Sequence, residues 1–187
     1  MSSRNDVKGD QAEGSKILGE KDLSNKIQRL AAQITERHPA RLPCFVGIHT
    51  RGVTVARRVL SALGDSGSNV ALGTLDISFY RDDLDHRRAN PVVQASEIPF
   101  EVEGADIIIF DDVLYTGRTI RSAIDGLLNY GRPSKIELAV IIDRGNRELP
   151  IQPDYVGETI PTQRLDRIRV CFSEHDDEDS ISLISAS

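Results

Sequence analysis

Apolar residues along the chain follow two patterns, short nearly continuous runs and longer stretches in which they recur every three or four positions. The short runs predict strands buried in a sheet, and they lie at residues 44–48, 107–110 and 136–142. Helical spacing predicts helices at residues 23–34, 53–63 and 120–128. Because strands and helices alternate, we expect an α/β fold with a mostly parallel sheet covered by helices on both faces.

Weaker patterns describe the rest of the chain. Further strands are predicted at residues 75–79, 168–172 and 181–184, and the last two are expected to form a pair that finishes a sheet. Residues 144–161 contain Gly and Pro throughout and are expected to be irregular. The polar residues 1–15 are expected to form a disordered tail, which leaves residues 16–187 as one domain.

The composition limits the class of protein. A chain of 187 residues with 39% hydrophobic residues can bury one substantial core. It has no apolar run near the roughly 18 residues of a membrane span, and its polar beginning lacks the features of a signal peptide. Cys44 and Cys171 have neither metal nor redox spacing, which is typical of buried thiols in a reducing compartment. We therefore expect a soluble, cytoplasmic protein without a membrane partner.

The net charge of −6 does not favour a nucleic-acid partner, but the charge is unevenly distributed. Five acidic residues lie within one short segment near the end of the chain: Glu174, Asp176, Asp177, Glu178 and Asp179. Without them the chain is nearly neutral, so a basic face remains compatible with the composition. The acidic segment itself is expected to be a solvated turn before the last strand.

Residues 107–119 carry the most informative motif, in which a buried strand leads into Asp111 and Asp112 and then into a Thr-Gly-Arg-Thr turn. Such a turn joins the carboxyl end of a strand to the amino end of a helix, where open α/β sheets bind ligands. Backbone amides and the helix dipole favour a phosphate there, and carboxylates accept hydrogen bonds from sugar hydroxyls. The motif therefore predicts a ribose 5-phosphate site. A shorter Asp-Asp and Thr-Gly pattern also fits an ordinary capped turn, and the run matches neither a P-loop nor a Rossmann fingerprint.

A second strand-to-helix turn, residues 47–52, carries Thr50 and Arg51 between two glycines. Its hydroxyl, guanidinium and amide groups could hold a diphosphate near the ribose. Alone, this motif more often marks a capped turn. Beside the first motif it predicts a diphosphate site, because both turns lie at the same edge of the sheet.

Two further polar segments have two interpretations each. Residues 80–90 are either a solvated surface loop or a lid that keeps water from a cation-like ribose. Residues 143–150 follow a buried strand, so Arg144 could contact the ligand, while Arg147 and Glu148 could pair with each other. The four histidines show no metal or triad spacing and are expected to face solvent.

Taken together, these segments resemble the bifunctional pyrimidine operon attenuator and uracil phosphoribosyltransferase family (PyrR). Members are type I phosphoribosyltransferases that use 5-phosphoribosyl 1-diphosphate (PRPP). The likeness extends from about residue 17 to the C-terminus, and its marks are GIHTRG at 47–52, LDISFYRDD at 75–83, DDVLYTGRT at 111–119, GRP at 131–133 and DRGNRELPI at 143–151. The first and third of these mark PRPP users in general, whereas VLYTGRT and RELPI are typical of this family.

The resemblance implies the type I phosphoribosyltransferase fold, with a small hood and a flexible loop. It implies conversion of uracil and PRPP to UMP and diphosphate, with Mg²⁺ bound through PRPP rather than by direct protein ligands. Many members also bind pyr messenger RNA when UMP is present. Homodimers or homotetramers are expected.

The resemblance also implies roles for individual residues. PRPP or nucleotide contacts are assigned to Thr50, Arg51, Asp111, Asp112, Val113, Leu114, Tyr115, Thr116, Gly117, Arg118 and Thr119. Among these, Arg51 would stabilise the departing diphosphate, while Asp111 and Asp112 hold the ribose hydroxyls and either carboxylate could act as the base on uracil. Arg144 and the backbone near Ile168 would line the base pocket. The flexible loop would contain Arg81, Asp82, Asp83 and Arg88.

Two positions depart from the family pattern. Asn146 stands where His is usual, and Gln152 stands where Arg is usual. Both belong to the segment that faces the base and RNA, so losing an imidazole and a guanidinium should weaken phosphate contacts to RNA. Two alternatives to the uracil enzyme remain open: a nucleotide-sensing RNA-binding attenuator with little enzymatic role, and a phosphoribosyltransferase for another base.

Overall fold

The structure is a computed structural model that describes residues 14–77 and 95–186. Its strands are β1 (Ser15–Leu18), β2 (Cys44–Ile48), β3 (Leu72–Leu75), β4 (Asp106–Leu114), β5 (Lys135–Asp143), β6 (Tyr155–Thr159), β7 (Arg167–Cys171) and β8 (Ser180–Ile184). Its α-helices are α1 (Glu20–Arg37), α2 (Arg51–Ala62) and α3 (Arg118–Leu128), and a short 3₁₀ helix spans Gly64–Gly67.

Five strands form a parallel sheet in the order β3-β2-β4-β5-β6. Successive side chains of a strand point to opposite faces, so the central strand β4 contributes to two cores. Ile108 and Phe110 pack with α1 and α2, whereas Ile107 and Ile109 pack with α3 on the other face. This arrangement confirms the predicted parallel sheet with helices on both sides.

A second, antiparallel sheet contains the ends of the described chain. Its order is β1-β8-β7, and we call these three strands the hood. Val170, Phe172 and Ile181 of the hood and its following turn are buried in the same core as α1 and α2. The hood is therefore fixed to the body of the protein by apolar packing.

The strongest sequence patterns correspond to observed elements. The helices predicted at 23–34, 53–63 and 120–128 are α1, α2 and α3, and the runs at 44–48, 107–110 and 136–142 lie in β2, β4 and β5. β4 continues four residues past the apolar run, so Asp111 and Asp112 belong to the strand and not to the turn after it.

Other predictions were wrong in instructive ways. Of the strand predicted at 75–79, Leu75 is the last residue of β3, which begins earlier because Phe45 to Ile48 of β2 pair with residues 72–75; residues 78–79 lie outside the described residues. The segment 144–161 is not irregular throughout, since β6 pairs with β5 at the sheet edge. The last two predicted strands correspond to β7 and β8, which pair with each other in the antiparallel hood and not with the parallel sheet. Ser15 begins β1 and is not part of a tail; residues 1–13 lie outside the described residues.

The acidic segment is a turn before β8, as predicted, but it is not simply solvated. Asp176 pairs with Arg51, Glu174 and Asp179 pair with Arg58, and Glu178 pairs with Lys16. Most of its charge is therefore balanced within the protein. Among the described residues, no helix is both long enough and apolar enough to cross a membrane.

Candidate active site at the carboxyl edge of the sheet

Two neighbouring cavities open at the carboxyl ends of β2, β3 and β4. The first, of about 320 Å³, is formed mainly by residues 113–120 together with Glu148. The second, of about 300 Å³, is lined by residues 48–51, Asp76 and the aspartate pair. Asp111, Val113 and Thr119 border both cavities, so the two predicted turns line adjoining cavities.

The two adjacent aspartates have different surroundings. Asp111 is 8% exposed, and its Oδ1 accepts a hydrogen bond of 3.0 Å from the amide of Asp112. Asp112 Oδ1 accepts one of 2.9 Å from the amide of Val113. Burial raises the pKa of Asp112, while Asp111 and Arg51 partly oppose that rise. The site therefore holds carboxylate oxygens at the point where both cavities meet.

Two glycines allow the second turn to approach the sheet. A Cβ on Gly52 would lie 2.2 Å from the carbonyl oxygen of Phe110, and one on Gly47 would lie 2.4 Å from the Cα of Val53. Helix α2 can therefore begin directly against β4 only if both positions lack side chains. This close approach brings Thr50 and Arg51 to the cavity that contains Asp112.

The first turn has the features of an anion site. Gly117, the N-cap of α3, has φ of 92°, a left-handed conformation that favours glycine. It has no side chain of its own to cap the helix, and the amino end of a helix favours an anion. Thr116 accepts a hydrogen bond from the amide of Arg118 and supplies its carbonyl to Glu148 and Leu149.

Glu148 was not identified as a site residue from sequence, and the predicted pairing of Arg147 with Glu148 was wrong. Glu148 pairs with Arg118 at 2.8 Å and with Arg164 at 3.1 Å. These arginines lower the pKa of Glu148. Arg147 instead pairs with Asp143 at 2.7 Å and donates to the carbonyl of Tyr115. The loop after β5 is thereby attached to the predicted phosphate turn, residues 115–118 where β4 leads into α3.

Tyr115 and Arg144 bring a third loop to the site. The Arg144 guanidinium lies 3.9 Å from the centre of the Tyr115 ring and donates to the Thr162 hydroxyl and the Gln163 carbonyl. The Tyr115 hydroxyl donates to the Arg164 carbonyl. Arg144 is only 4% exposed, so its described contacts support this loop. Ile168 is half-buried against the hood core at the start of β7.

The position of Asn146 has a conformational explanation. Its φ is 59°, in the left-handed region where asparagine is enriched, and its amide donates to the Thr162 carbonyl at 2.8 Å. Asn146 therefore also supports the loop at 162–164. Gln152 is exposed.

Two histidines differ from expectation, whereas His175 is exposed as expected and His86 lies outside the described residues. His38 does not face solvent, because its Nε2 lies 2.6 Å from buried Glu137. His49 Nε2 is buried without a hydrogen-bond partner in the described chain, and burial lowers the pKa of this imidazole. Asp76, 7% exposed, borders the second cavity. Its place after β3 could have been identified from the rule that ligands bind at the carboxyl edge of a sheet. The predicted flexible-loop residues Arg81, Asp82, Asp83 and Arg88 lie outside the described residues.

A parallel sheet in this order, a small hood, and a strand with paired carboxylates leading into a phosphate turn define a type I phosphoribosyltransferase. In agreement, the phosphoribosyl transferase domain family matches residues 14–179. The hypoxanthine phosphoribosyltransferase of Trypanosoma cruzi has a similar structure, with a TM-score of 0.69 and 16% identity over 94% of this chain and 98% of that one. The enzyme from Staphylococcus aureus also gives a TM-score of 0.69, with 21% identity over 91% of each chain. These likenesses concern the fold.

Sequence relatives give the narrower assignment. The bifunctional protein PyrR of Elusimicrobium minutum is 48% identical over 87% of this chain and 92% of its own length. PyrR of Bacillus cereus is 44% identical over 89% of this chain and 95% of its own. The chain belongs to the PyrR family, which confirms the resemblance identified from its motifs.

Proposed function

We propose that the protein transfers the phosphoribosyl group of PRPP to uracil, giving UMP and diphosphate. The observation that carries this proposal is the pair of adjoining cavities that share Asp111, with the turn at residues 115–118 on one side and Arg51 on the other. A molecule with a phosphate, a ribose and a diphosphate in that order fits the chemistry of the two cavities. Membership of the PyrR family supports uracil as the acceptor.

In the proposed reaction the 5-phosphate binds the amides and hydroxyls of residues 116–119. Asp111 and Asp112 accept hydrogen bonds from the ribose hydroxyls, and Thr50 and Arg51 bind the diphosphate. The bond between ribose C1 and the diphosphate oxygen breaks, and a bond from C1 to uracil N1 forms. The uracil proton passes to solvent or to one of the two carboxylates. Positioning and electrostatic stabilisation therefore provide most of the catalysis.

The donor chemistry of the site is compatible with Mg²⁺. No group of three or more His, Cys, Asp or Glu side chains in the described ranges is arranged to hold a metal ion. Oxygen is the ligand type that Mg²⁺ prefers, and the oxygens of PRPP would hold the ion while Asp111 and Asp112 hold the ribose hydroxyls. Bound Mg²⁺ would neutralise charge that develops on the departing diphosphate.

For the base, we propose a pocket bordered by Arg144, the backbone near Ile168 and the loop at 162–164. The support is the set of contacts by which Tyr115, Arg144 and Asn146 hold that loop beside the phosphate turn. Because the loop is held mainly through its carbonyls, its peptide groups are fixed in direction. Fixed backbone groups suit recognition of a small planar base by hydrogen bonds.

The direct test is a panel of bases assayed for diphosphate release from PRPP and Mg²⁺. Uracil should support release, whereas cytosine, adenine, guanine and hypoxanthine should not. Release with hypoxanthine in preference to uracil would overturn the proposed acceptor and favour a phosphoribosyltransferase for another base. No release with any base would remove the enzymatic proposal and favour the nucleotide-sensing alternative.

A second activity, UMP-dependent binding of a pyr messenger RNA leader, is proposed because the relatives are bifunctional PyrR proteins. UMP should raise affinity for the RNA through a coupling free energy, and added salt should lower it. Filter binding with and without UMP measures both effects. Unchanged affinity on adding UMP would contradict this activity.

We further propose a cytoplasmic homodimer or homotetramer, which analytical ultracentrifugation would test.

A further inference from the structure

The acidic turn, residues 172–179 between β7 and β8, contacts one face of helix α2. Arg51, Thr54 and Arg58 lie three and four residues apart and therefore share a face of the helix. Arg51 pairs with Asp176, the Thr54 hydroxyl lies 2.8 Å from His175 Nε2, and Arg58 pairs with Glu174 and Asp179. The turn is thereby attached along two turns of the helix that begins at the diphosphate motif.

Hydrogen bonds hold both the Arg51 guanidinium and the Asp176 carboxylate in place. Arg51 Nε donates to the Val170 carbonyl at 2.8 Å, and its Nη2 donates to the two carboxylate oxygens of Asp176 at 3.0 and 3.1 Å. Asp176 Oδ2 also accepts a hydrogen bond of 3.0 Å from the amide of Phe172. Asp176 is itself largely shielded, with a side chain 13% exposed. The carboxylate is therefore held by the turn that presents it.

The orientation of the guanidinium follows from this geometry. The group is planar, and its five N–H bonds point in fixed directions. Once its Nε and Nη2 are bound by the hood, the direction of the remaining Nη1 is also set. Arg51 lines the same cavity as Thr50 and Asp112. The part of Arg51 that can meet a ligand is thus determined by residues of the hood.

We propose that Asp176 is a positioning residue that holds the Arg51 guanidinium in the orientation that receives the diphosphate of PRPP. This inference rests on the proposed function. An arginine side chain has many rotamers, and fixing it before the ligand arrives reduces the conformational entropy lost on binding. The hood therefore supports the PRPP site from outside the cavity, through a residue that borders neither cavity.

A double-mutant cycle with Arg51→Ala, Asp176→Asn and the double variant tests the proposal. Calorimetry with PRPP and Mg²⁺ alone measures PRPP affinity, so this readout does not depend on which base is the acceptor. Asp176→Asn should weaken PRPP binding by up to about tenfold, the scale for a long side chain that must be immobilised on binding instead of beforehand. Asp176 also lies 3.6 Å from Arg169 Nη2, but its proposed effect on PRPP passes through Arg51. In the Arg51→Ala background the same change should therefore have almost no effect.

Asp179→Asn is the matched control, since it breaks an ion pair of the same turn with Arg58 instead of Arg51. It should leave PRPP affinity near that of the wild type. A loss of affinity on Asp179→Asn equal to that on Asp176→Asn would indicate a general structural role and overturn the proposal. An equal effect of Asp176→Asn with and without Arg51 would also overturn it. Failure of the proposed function is distinguishable, since the wild type would then bind PRPP without uracil-dependent turnover.

Discussion

At the scale of single residues, the central feature is an aspartate whose burial opposes its own charge. Burial raises the pKa of Asp112, and Asp111, Arg51 and backbone donors partly oppose that rise. Hydrogen bonding to the ribose hydroxyls requires an ionised acceptor for full strength. The protonation state of Asp112 should therefore affect the proposed activity.

This environment predicts a pH dependence of activity. Because the pKa of Asp112 is raised, its carboxylate becomes protonated at a pH above the roughly 3.9 of an ordinary aspartate. The kcat/KM for PRPP should accordingly fall on the acidic side with a midpoint above that value. Asp112→Asn should remove this limb from its residual activity. An identical acidic limb in the variant would contradict the role of Asp112, provided circular dichroism shows both proteins folded.

A second residue-scale prediction concerns buried Glu137, far from the predicted catalytic residues. It is 2% exposed and accepts contacts from Lys135, Arg37, His38 and Tyr155. Although burial opposes its charge, Lys135, His38 and Tyr155 lower the pKa of Glu137 in the folded protein. Ionised Glu137 therefore stabilises the fold at neutral pH, and this contribution is lost as the pH falls below about 4.3 and through the lowered pKa.

Glu137→Gln should consequently reduce the free energy of unfolding by about 2 kcal/mol at pH 7, the scale of a hydrogen bond to a charged group. The difference from the wild type should shrink in acid, because the wild type loses its ionised carboxylate there. Urea unfolding between pH 7 and pH 3.5 measures both quantities. Glu101→Gln, an exposed position, is the control and should change little. If the wild type and Glu137→Gln differed by the same free energy of unfolding at every pH in this range, the claim that ionised Glu137 stabilises the fold would be contradicted.

At the scale of secondary structure, apolar spacing alone predicted the three helices and the central strands. It did so because each is long enough to show its period and is buried against the sheet. It failed for β6, where Tyr155 and Gly157 are buried on a strand of five residues within a proline-containing segment. It also failed for β1, whose three exposed residues show no apolar face. The position of such a short strand is determined by the strand with which it pairs, and its own sequence shows too few apolar residues to reveal a period.

For the site, the sequence identified both turns and the aspartate pair, because each motif is local. It did not predict that Asp176 reaches Arg51 or that Glu148 lies between Arg118 and Arg164. These contacts join residues between 16 and 125 positions apart, and only tertiary structure brings them together. The sequence therefore predicts a solvated segment at the acidic turn, because the partners of its charged side chains are distant in the sequence.

One element-scale prediction follows from the start of α2. Gly52→Ala should cost about 3 kcal/mol of stability and most of the PRPP affinity, because the new Cβ would meet the backbone of Phe110 at 2.2 Å. Gly73→Ala is the matched control. Its nearest obstacle, at 2.8 Å, is the terminal Cδ1 of the Ile98 side chain, which can move. Chemical denaturation and PRPP calorimetry compare the two, and equal behaviour would contradict the close approach of α2 to β4.

At the scale of the whole molecule, the hood joins the two ends of the described chain. β1 pairs with β8, and Lys16 forms an ion pair of 2.9 Å with Glu178 of the acidic turn. The same turn reaches Arg51 in the diphosphate motif. The beginning of the chain is thus connected through one small sheet to the predicted PRPP site.

Deleting residues 2–18 should therefore lower both stability and PRPP affinity, since it removes β1 and the Lys16 ion pair. Deleting residues 2–13 keeps every described contact of β1 and isolates the contribution of the strand. Thermal unfolding and calorimetry of the two proteins provide the comparison. Equal affinity for PRPP in both would show that the hood acts independently of its first strand.

The central claim is that the aspartate pair at the end of β4 holds the ribose of PRPP during transfer to uracil. The most direct measurement is uracil-dependent diphosphate release from PRPP and Mg²⁺ by the wild type and by Asp112→Asn. We expect clear release by the wild type and a reduction of roughly 100-fold or more in the variant, the scale for loss of a group that acts in the transition state. Wild-type rates in a folded Asp112→Asn protein would contradict the claim.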